Sequence, residues 1–258
     1  MKLWTTLFLL LTVALRSGAA VKTQIVEYRD GDTVLEGYLA YDDSKSDTRP
    51  GILVVHQWMG LTAYEKKRCE MLAELGYVAF AADIYGKGVR PSGPGEAGPL
   101  AGKYKGDLAL LRRRVSLGLE QLKAVKQCNT AKTAAIGYCF GGTTVLELAR
   151  SGADIAGVVS FHGALGTSMP AQPKAVHAQI LALHGADDPF VPTEEVAKFQ
   201  KEMKEAQCDW EFVAYSGAVH AFTQWNAGND NSKGAAYNEK ADHRSWKAMQ
   251  DFFVELFH

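Results

Sequence analysis

The stretch Ala134 to Thr144, reading Ala-Ala-Ile-Gly-Tyr-Cys-Phe-Gly-Gly-Thr-Thr, limits this chain more than any other. A short apolar run ends in a small-x-nucleophile-x-small turn, and an apolar-periodic helix follows. That is the strand–turn–helix context in which a nucleophile is lifted above a sheet edge, with Cys139 as the reactive side chain. Gly137, Gly141 and Gly142 leave room for strand and helix to approach closely. The turn sets the sulfur near a helix N-terminus, where backbone N–H groups and the helix dipole favour a thiolate.

The rest of the chain supplies strands for such a sheet. Ile25–Tyr28 and Val34–Leu39 flank Asp30-Gly31, which reads as a hairpin. The run 51–56 is continuously apolar, and 78–85, 133–138, 155–161 and 180–184 are mostly so, as in strands buried on both faces. Residues 210–215 alternate and read as a last strand. Helical periodicity appears near Tyr64–Leu75, Leu108–Val125, Thr144–Arg150, Val196–Ala206 and Trp246–Leu256. Residues 86–106, with seven glycines and three prolines, read as a long loop. Alternating strands and helices predict an α/β fold, with a mostly parallel sheet of about eight strands covered on both faces. In such folds ligands bind beyond the carboxyl ends of the strands.

Those ends carry chemistry in a consistent order. Cys139 follows one strand, Asp188 follows the strand ending at His184, and His220 follows the last strand. Nucleophile, acid, then histidine is the chain order of a Ser/Cys–His–Asp hydrolase on a parallel sheet. In that arrangement Cys139 attacks a carbonyl, His220 moves the proton, and Asp188 orients the ring. Asp187 is an alternative orienter. His56, His162 and His184 also lie at strand ends, where a lone histidine is more often a core or surface residue than a base. The developing oxyanion needs two aimed donors. Phe140 N–H, next after the nucleophile, is one. The turn after 51–56 supplies the other, with Trp58 the favoured residue.

Bulk properties narrow the alternatives. The 258 residues, 47% hydrophobic and 22% charged, suit one sizeable core, and a net charge of −1 gives no nucleic-acid footprint. Residues 1–20 read as a secretory signal peptide, with Lys2, an apolar run from Thr6 to Leu15 and small residues 17–20. A single domain over 21–258 with no membrane span follows, and a secreted or periplasmic location. Of four cysteines, Cys69, Cys128 and Cys208 remain beside Cys139, so a disulfide among them is open. No CxxC or His/Cys cluster suggests a metal. Monomer or weak dimer is the expected state.

Together the pieces Val55-His56-Gln57-Trp58-Met59-Gly60, Ala82–Gly86, Gly137-Tyr138-Cys139-Phe140-Gly141-Gly142, Gly185–Pro192 and Val219–Phe222 resemble the dienelactone hydrolase family of α/β-hydrolases. The resemblance spans about residues 22–257. It implies an α/β-hydrolase fold and a Cys139–His220–Asp188 triad with Trp58 and Phe140 as oxyanion donors. It further implies hydrolysis of small-molecule esters or lactones through a thioester, without cofactor or metal. Gln57, Tyr138, Phe222 and Gln224 are then expected to line the substrate pocket. Two positions depart from the family. Gln57 stands where family members carry a glutamate, and Gln224 where an arginine pairs with a substrate carboxylate. A preference for neutral or bulky-acyl esters over anionic lactones is therefore expected. Thioester or peptide cleavage, and a non-catalytic binding protein on the same scaffold, are the competing readings.

Overall fold

The computed structural model describes residues 21–258; the expected signal peptide, 1–20, lies outside the described residues. Strands β1 (Val21–Asp30) and β2 (Thr33–Asp42) form an antiparallel hairpin closed at Asp30↔Thr33. Then follow β3 (Arg49–Val55), α1 (Ala63–Glu74), β4 (Val78–Ala82), α2 (Pro94–Gly106), α3 (Leu108–Lys123), β5 (Cys128–Tyr138) and α4 (Phe140–Arg150). The chain finishes with β6 (Gly157–Phe161), β7 (Gln179–Gly185), α5 (Thr193–Glu205), β8 (Trp210–Tyr215) and α6 (Glu239–Phe257). The eight strands lie in the order β1-β2-β4-β3-β5-β6-β7-β8. All pairs from β4 to β8 are parallel, and β2 meets β4 antiparallel.

Side chains alternate across each strand, and the two faces build two cores. Leu53, Val55, Ala135 and Val158 pack with α3 and α4. Ile52, Val54, Ile136 and Val159 pack with α1 and α6. Both faces of the central strands are fully buried, which explains their unbroken apolar runs.

Residues 94–106 are helical, which corrects the reading of 86–106 as loop. Pro94 sits at the first helical position, where its missing N–H costs nothing, although Pro99 lies inside. Glycine and proline make this helix intrinsically poor. Burial of Ala97, Ala101 and Tyr104 against the sheet side holds it, with Tyr104 Oη donating to Tyr85 O at 3.0 Å. Tertiary packing overrides local propensity here.

The order β4-β3-β5 brings the turn after β3 beside the turn after β5. The order β5-β6-β7-β8 lines up the ends that carry Cys139, His162, Asp188 and His220. One edge of the sheet thus gathers all of the chemistry.

Candidate active site

Cys139 occupies a backbone conformation that side chains rarely adopt, φ 55° and ψ −114°, between the end of β5 and the start of α4. Tight packing enforces it. A Cβ on Gly137 would come 2.0 Å from Gly141 O, and one on Gly141 would come 2.2 Å from Val55 O. Neither position can hold another residue without moving strand or helix. Such strain persists only where surrounding structure over-determines it.

The structure brings Cys139, His220 and Asp188 together. His220 Nε2 lies 3.1 Å from Cys139 Sγ, and its Nδ1 lies 2.8 Å from Asp188 Oδ2. Asp188 is buried, and its Oδ1 accepts from Phe190 N–H at 2.8 Å. Asp187 is exposed and takes no part. The His220 ring is held edge-on between His162 and Phe190, with centroids 5.2 and 5.5 Å away. Its backbone bridges to the 234–236 segment through His220 N–H to Gly234 O and Ala236 N–H to His220 O.

Electrostatics follow from this packing. Burial alone would push the Cys139 thiol up, but the His220 charge, the hydrogen bond to it and Phe140 N–H together hold it below its ordinary value. Burial would likewise lower His220; the thiolate and the Asp188 carboxylate outweigh it and push the imidazole up to about 10. The other three thiols move the opposite way. Burial raises Cys69, Cys208 and Cys128, the last to about 11. All four cysteines are free, so the structure contains none of the disulfides left open above.

Beside the sulfur lies a cavity of about 440 Å³. Gln57, Trp58, Phe140 and Thr143 line it near Cys139, and Ala164, Phe190 and Val191 close another side. Helix α2 contributes Gly98, Ala101 and Lys105, residues the sequence reading did not single out because they fell in the presumed loop. Trp58 and Phe190 stay substantially exposed at its mouth, 36% and 58%. Phe140 N–H points at the sulfur. Trp58 O accepts from Tyr85 Oη at 3.1 Å, which anchors its turn.

Of the four expected pocket residues only Gln57 lines this cavity; Tyr138, Phe222 and Gln224 do not. Tyr138 is fully buried on the α1/α6 side, stacked on Phe161 at 4.7 Å. Successive residues of a strand face opposite ways, so adjacency to Cys139 did not make it a neighbour of the cavity. Phe222 is also fully buried, against His162 and Tyr215. Ala221, at φ 56°, turns the chain so that Phe222 goes into the core. Gln224 stands one residue back from the cavity, where its Oε1 accepts from Gln57 Nε2 at 2.6 Å. The two positions that depart from the family pattern therefore touch each other. Gln224 Nε2 in turn donates to Asn226 Oδ1 at 2.7 Å, making a chain of neutral amides. Arg90, in the segment before α2, is tied to Val89 O and Leu61 O.

Among the described residues no cluster of three or more His, Cys, Asp or Glu is arranged to hold a metal ion, and no helix is long and apolar enough to cross a membrane.

Comparison with known proteins places this geometry in context. The dienelactone hydrolase family model matches residues 35–257. A solved structure of a dienelactone hydrolase-like promiscuous phosphotriesterase from metagenomic libraries is 38% identical, with a TM-score of 0.87, covering 92% of this chain and 98% of that one. A putative carboxymethylenebutenolidase of Aquifex aeolicus is 26% identical over 235 residues, 89% of this chain and 97% of the relative. An uncharacterized protein of Caenorhabditis elegans is 34% identical over 150 residues, 57% of this chain and 94% of its own length.

Proposed function

We propose that this chain, which belongs to the dienelactone hydrolase family and is an ester or lactone hydrolase, works through Cys139, His220 and Asp188 and a thioester intermediate. The observation that carries this reading is the 3.1 Å Cys139 Sγ–His220 Nε2 contact backed by the 2.8 Å bond to Asp188.

The chemistry follows from those contacts. Cys139 rests as a thiolate paired with the His220 imidazolium. The sulfur attacks the substrate carbonyl carbon, and the carbonyl electrons collapse onto oxygen. Trp58 and Phe140 N–H groups receive that oxyanion. The His220 proton passes to the leaving alkoxide as the C–O bond breaks, which leaves a thioester on Cys139. His220, now neutral, removes a proton from water; the hydroxide attacks the thioester, and the thiolate departs as the acid is released. Asp188 keeps Nδ1–H pointed at itself throughout, so that Nε2 always faces the reacting atoms.

Gln57 bears on how the thiol is activated. An amide cannot take up a proton at ordinary pH, and a carboxylate there would oppose a nearby thiolate. The neutral Gln57–Gln224 pair leaves His220 as the base and supports the standing ion pair. It also supports a preference for neutral esters over anionic lactones at this end of the cavity, because neither amide carries a positive charge to pair with a carboxylate and the lining lysine, Lys105, stands on α2 instead.

A panel of chromogenic esters, thioesters and lactones, assayed on wild type and Cys139→Ala, tests the reading. Ester or lactone turnover lost in the variant is expected. Turnover of thioesters or peptides alone would shift the activity class, and no turnover would favour a binding protein. We also propose export with cleavage before Val21; intact mass of secreted material should show a chain starting near that residue.

A further inference from the structure

His162 is fully buried beside the site, yet the mechanism above assigns it nothing. Its ring joins two segments that must be held in register. Cys139 N–H donates to its Nδ1 at 3.1 Å, while also reaching Phe161 O at 3.0 Å. On the other side, Nε2 lies 2.8 Å from Thr223 Oγ1, three residues after His220. One imidazole therefore links the backbone of the nucleophile to the loop of the base.

Each of the three turns it touches carries a strained residue. Cys139, His162 and Ala221 have φ of 55°, 41° and 56°, in the left-handed region unfavourable for side chains. Non-glycine strain of this kind needs support from its surroundings. A backbone N–H can only donate, so the Nδ1 that faces Cys139 must carry a lone pair. The proton of the neutral ring then sits on Nε2 and is donated to Thr223 Oγ1.

The far end is fixed as well. The Thr223 hydroxyl shares a 2.8 Å hydrogen bond with Tyr64 Oη, which also bonds Thr223 O at 3.1 Å. Arg68 Nε donates to Tyr64 Oη at 3.2 Å, and Arg68 Nη2 pairs with Asp242 Oδ1 at 2.6 Å. Arg68 is 2% exposed and Thr223 fully buried, so the chain runs through a low-dielectric interior where each link is costly to break.

We infer that His162 is a positioning residue: a neutral, Nε2–H imidazole that struts the Cys139 elbow against the Thr223 end of the His220 loop and so sets the sulfur-to-base distance. The inference rests on the hydrolase reading above but makes a separate demand on the resting protein. Burial, reinforced by the positive charge of His220 5.2 Å away, pushes the His162 imidazole well below its ordinary range, in keeping with a ring that stays neutral.

Two measurements test it. The first is the imidazole ¹⁵N spectrum of wild-type protein at neutral pH, assigned with His162→Gln. A neutral ring with unprotonated Nδ1 is expected at His162. An Nδ1–H tautomer or a charged ring would overturn the inference, whatever the enzyme hydrolyses. The second compares Thr223→Ser, which keeps the hydroxyl, with Thr223→Val, which keeps the shape. Rates are taken per reactive thiol on an ester the wild type turns over. Misplacing reacting groups by about 1 Å can cost ~10²-fold. Thr223→Val should lower kcat by roughly 10–100-fold with KM changed by less than about threefold, and Thr223→Ser should keep kcat within about threefold of wild type. Equal kcat in the two variants would overturn it. Failure of the hydrolase reading would instead appear as wild-type turnover surviving Cys139→Ala.

Discussion

The two ends of α4 hold a half-buried thiol and a buried guanidinium, and they are built on opposite terms. At the N-terminal end, Cys139 is backbone-strained, no side chain caps the helix, and the sulfur meets one imidazole and one N–H. At the C-terminal end, Arg150 is helical, and its Nε, Nη1 and Nη2 together donate four hydrogen bonds. It meets Glu147 Oε1 at 3.0 Å, Glu202 with two bonds at 2.9 and 2.8 Å, and Leu165 O at 2.7 Å. Arg112 adds two more bonds to Glu147. The helix dipole favours the charge at each end, negative at the first turn and positive at the last. The difference is in satisfaction. A saturated network resists change, whereas an under-satisfied anion can form a new bond. A buried charge alone therefore does not mark a reactive group; the free coordination of its atoms does.

The largest expected effect breaks one end only. Cys139→Ala should lower kcat by about 10⁴-fold or more, as removal of a triad nucleophile does. Its urea midpoint should stay at or slightly above that of wild type, because the variant sheds a functional charge and the neighbouring packing remains. A stability loss as large as the activity loss would mean that the elbow is held together by the sulfur.

The other end should answer in reverse. Glu147→Gln removes the carboxylate that Arg112 and Arg150 share; Arg150 keeps Glu202, so the network is left with one positive charge in excess, a change that costs up to about 3–5 kcal/mol. Urea unfolding should show that loss, with kcat per folded molecule within about twofold of wild type. An intact midpoint with impaired kcat would erase the contrast between the ends.

A smaller change sharpens the N-terminal side. Gln57→Glu introduces a carboxylate beside the cavity that holds the thiolate, and a nearby like charge disfavours ionisation. The pH midpoint of iodoacetamide labelling at Cys139 should rise, by about one unit. Unchanged labelling would show that Gln57 has no hold on the thiol.

Much of this was readable before the structure. The central strands announced themselves because burial on both faces leaves no polar alternation, and Cys139, Asp188 and His220 because each sits just past a strand. What escaped has physical reasons. Helix α2 was hidden by Pro94, Pro99 and its glycines, whose weak propensity is overcome only by packing. Its contribution to the cavity, Gly98, Ala101 and Lys105, was hidden with it. Tyr138 and Phe222 lie close to Cys139 and His220 along the chain, but the pleat of β5 and the turn at Ala221 send them into the core. The Gln57–Gln224 contact joins residues 167 positions apart and has no local signature.

The central claim is a standing thiolate at Cys139, made by His220 and the start of α4. It is tested most directly by the rate of iodoacetamide labelling at Cys139 as a function of pH, followed by peptide mapping. The sign is set by the directions of the two shifts. The thiol is held below its ordinary value, so labelling stops only when pH falls through that lowered pKa. The His220 imidazole is pushed up to about 10, so the supporting charge persists through neutral pH. Labelling should therefore have its midpoint on the acid side of the ~8.5 of a free cysteine. Cys69, Cys128 and Cys208 should lag far behind. A midpoint at or above that of free cysteine would contradict the account.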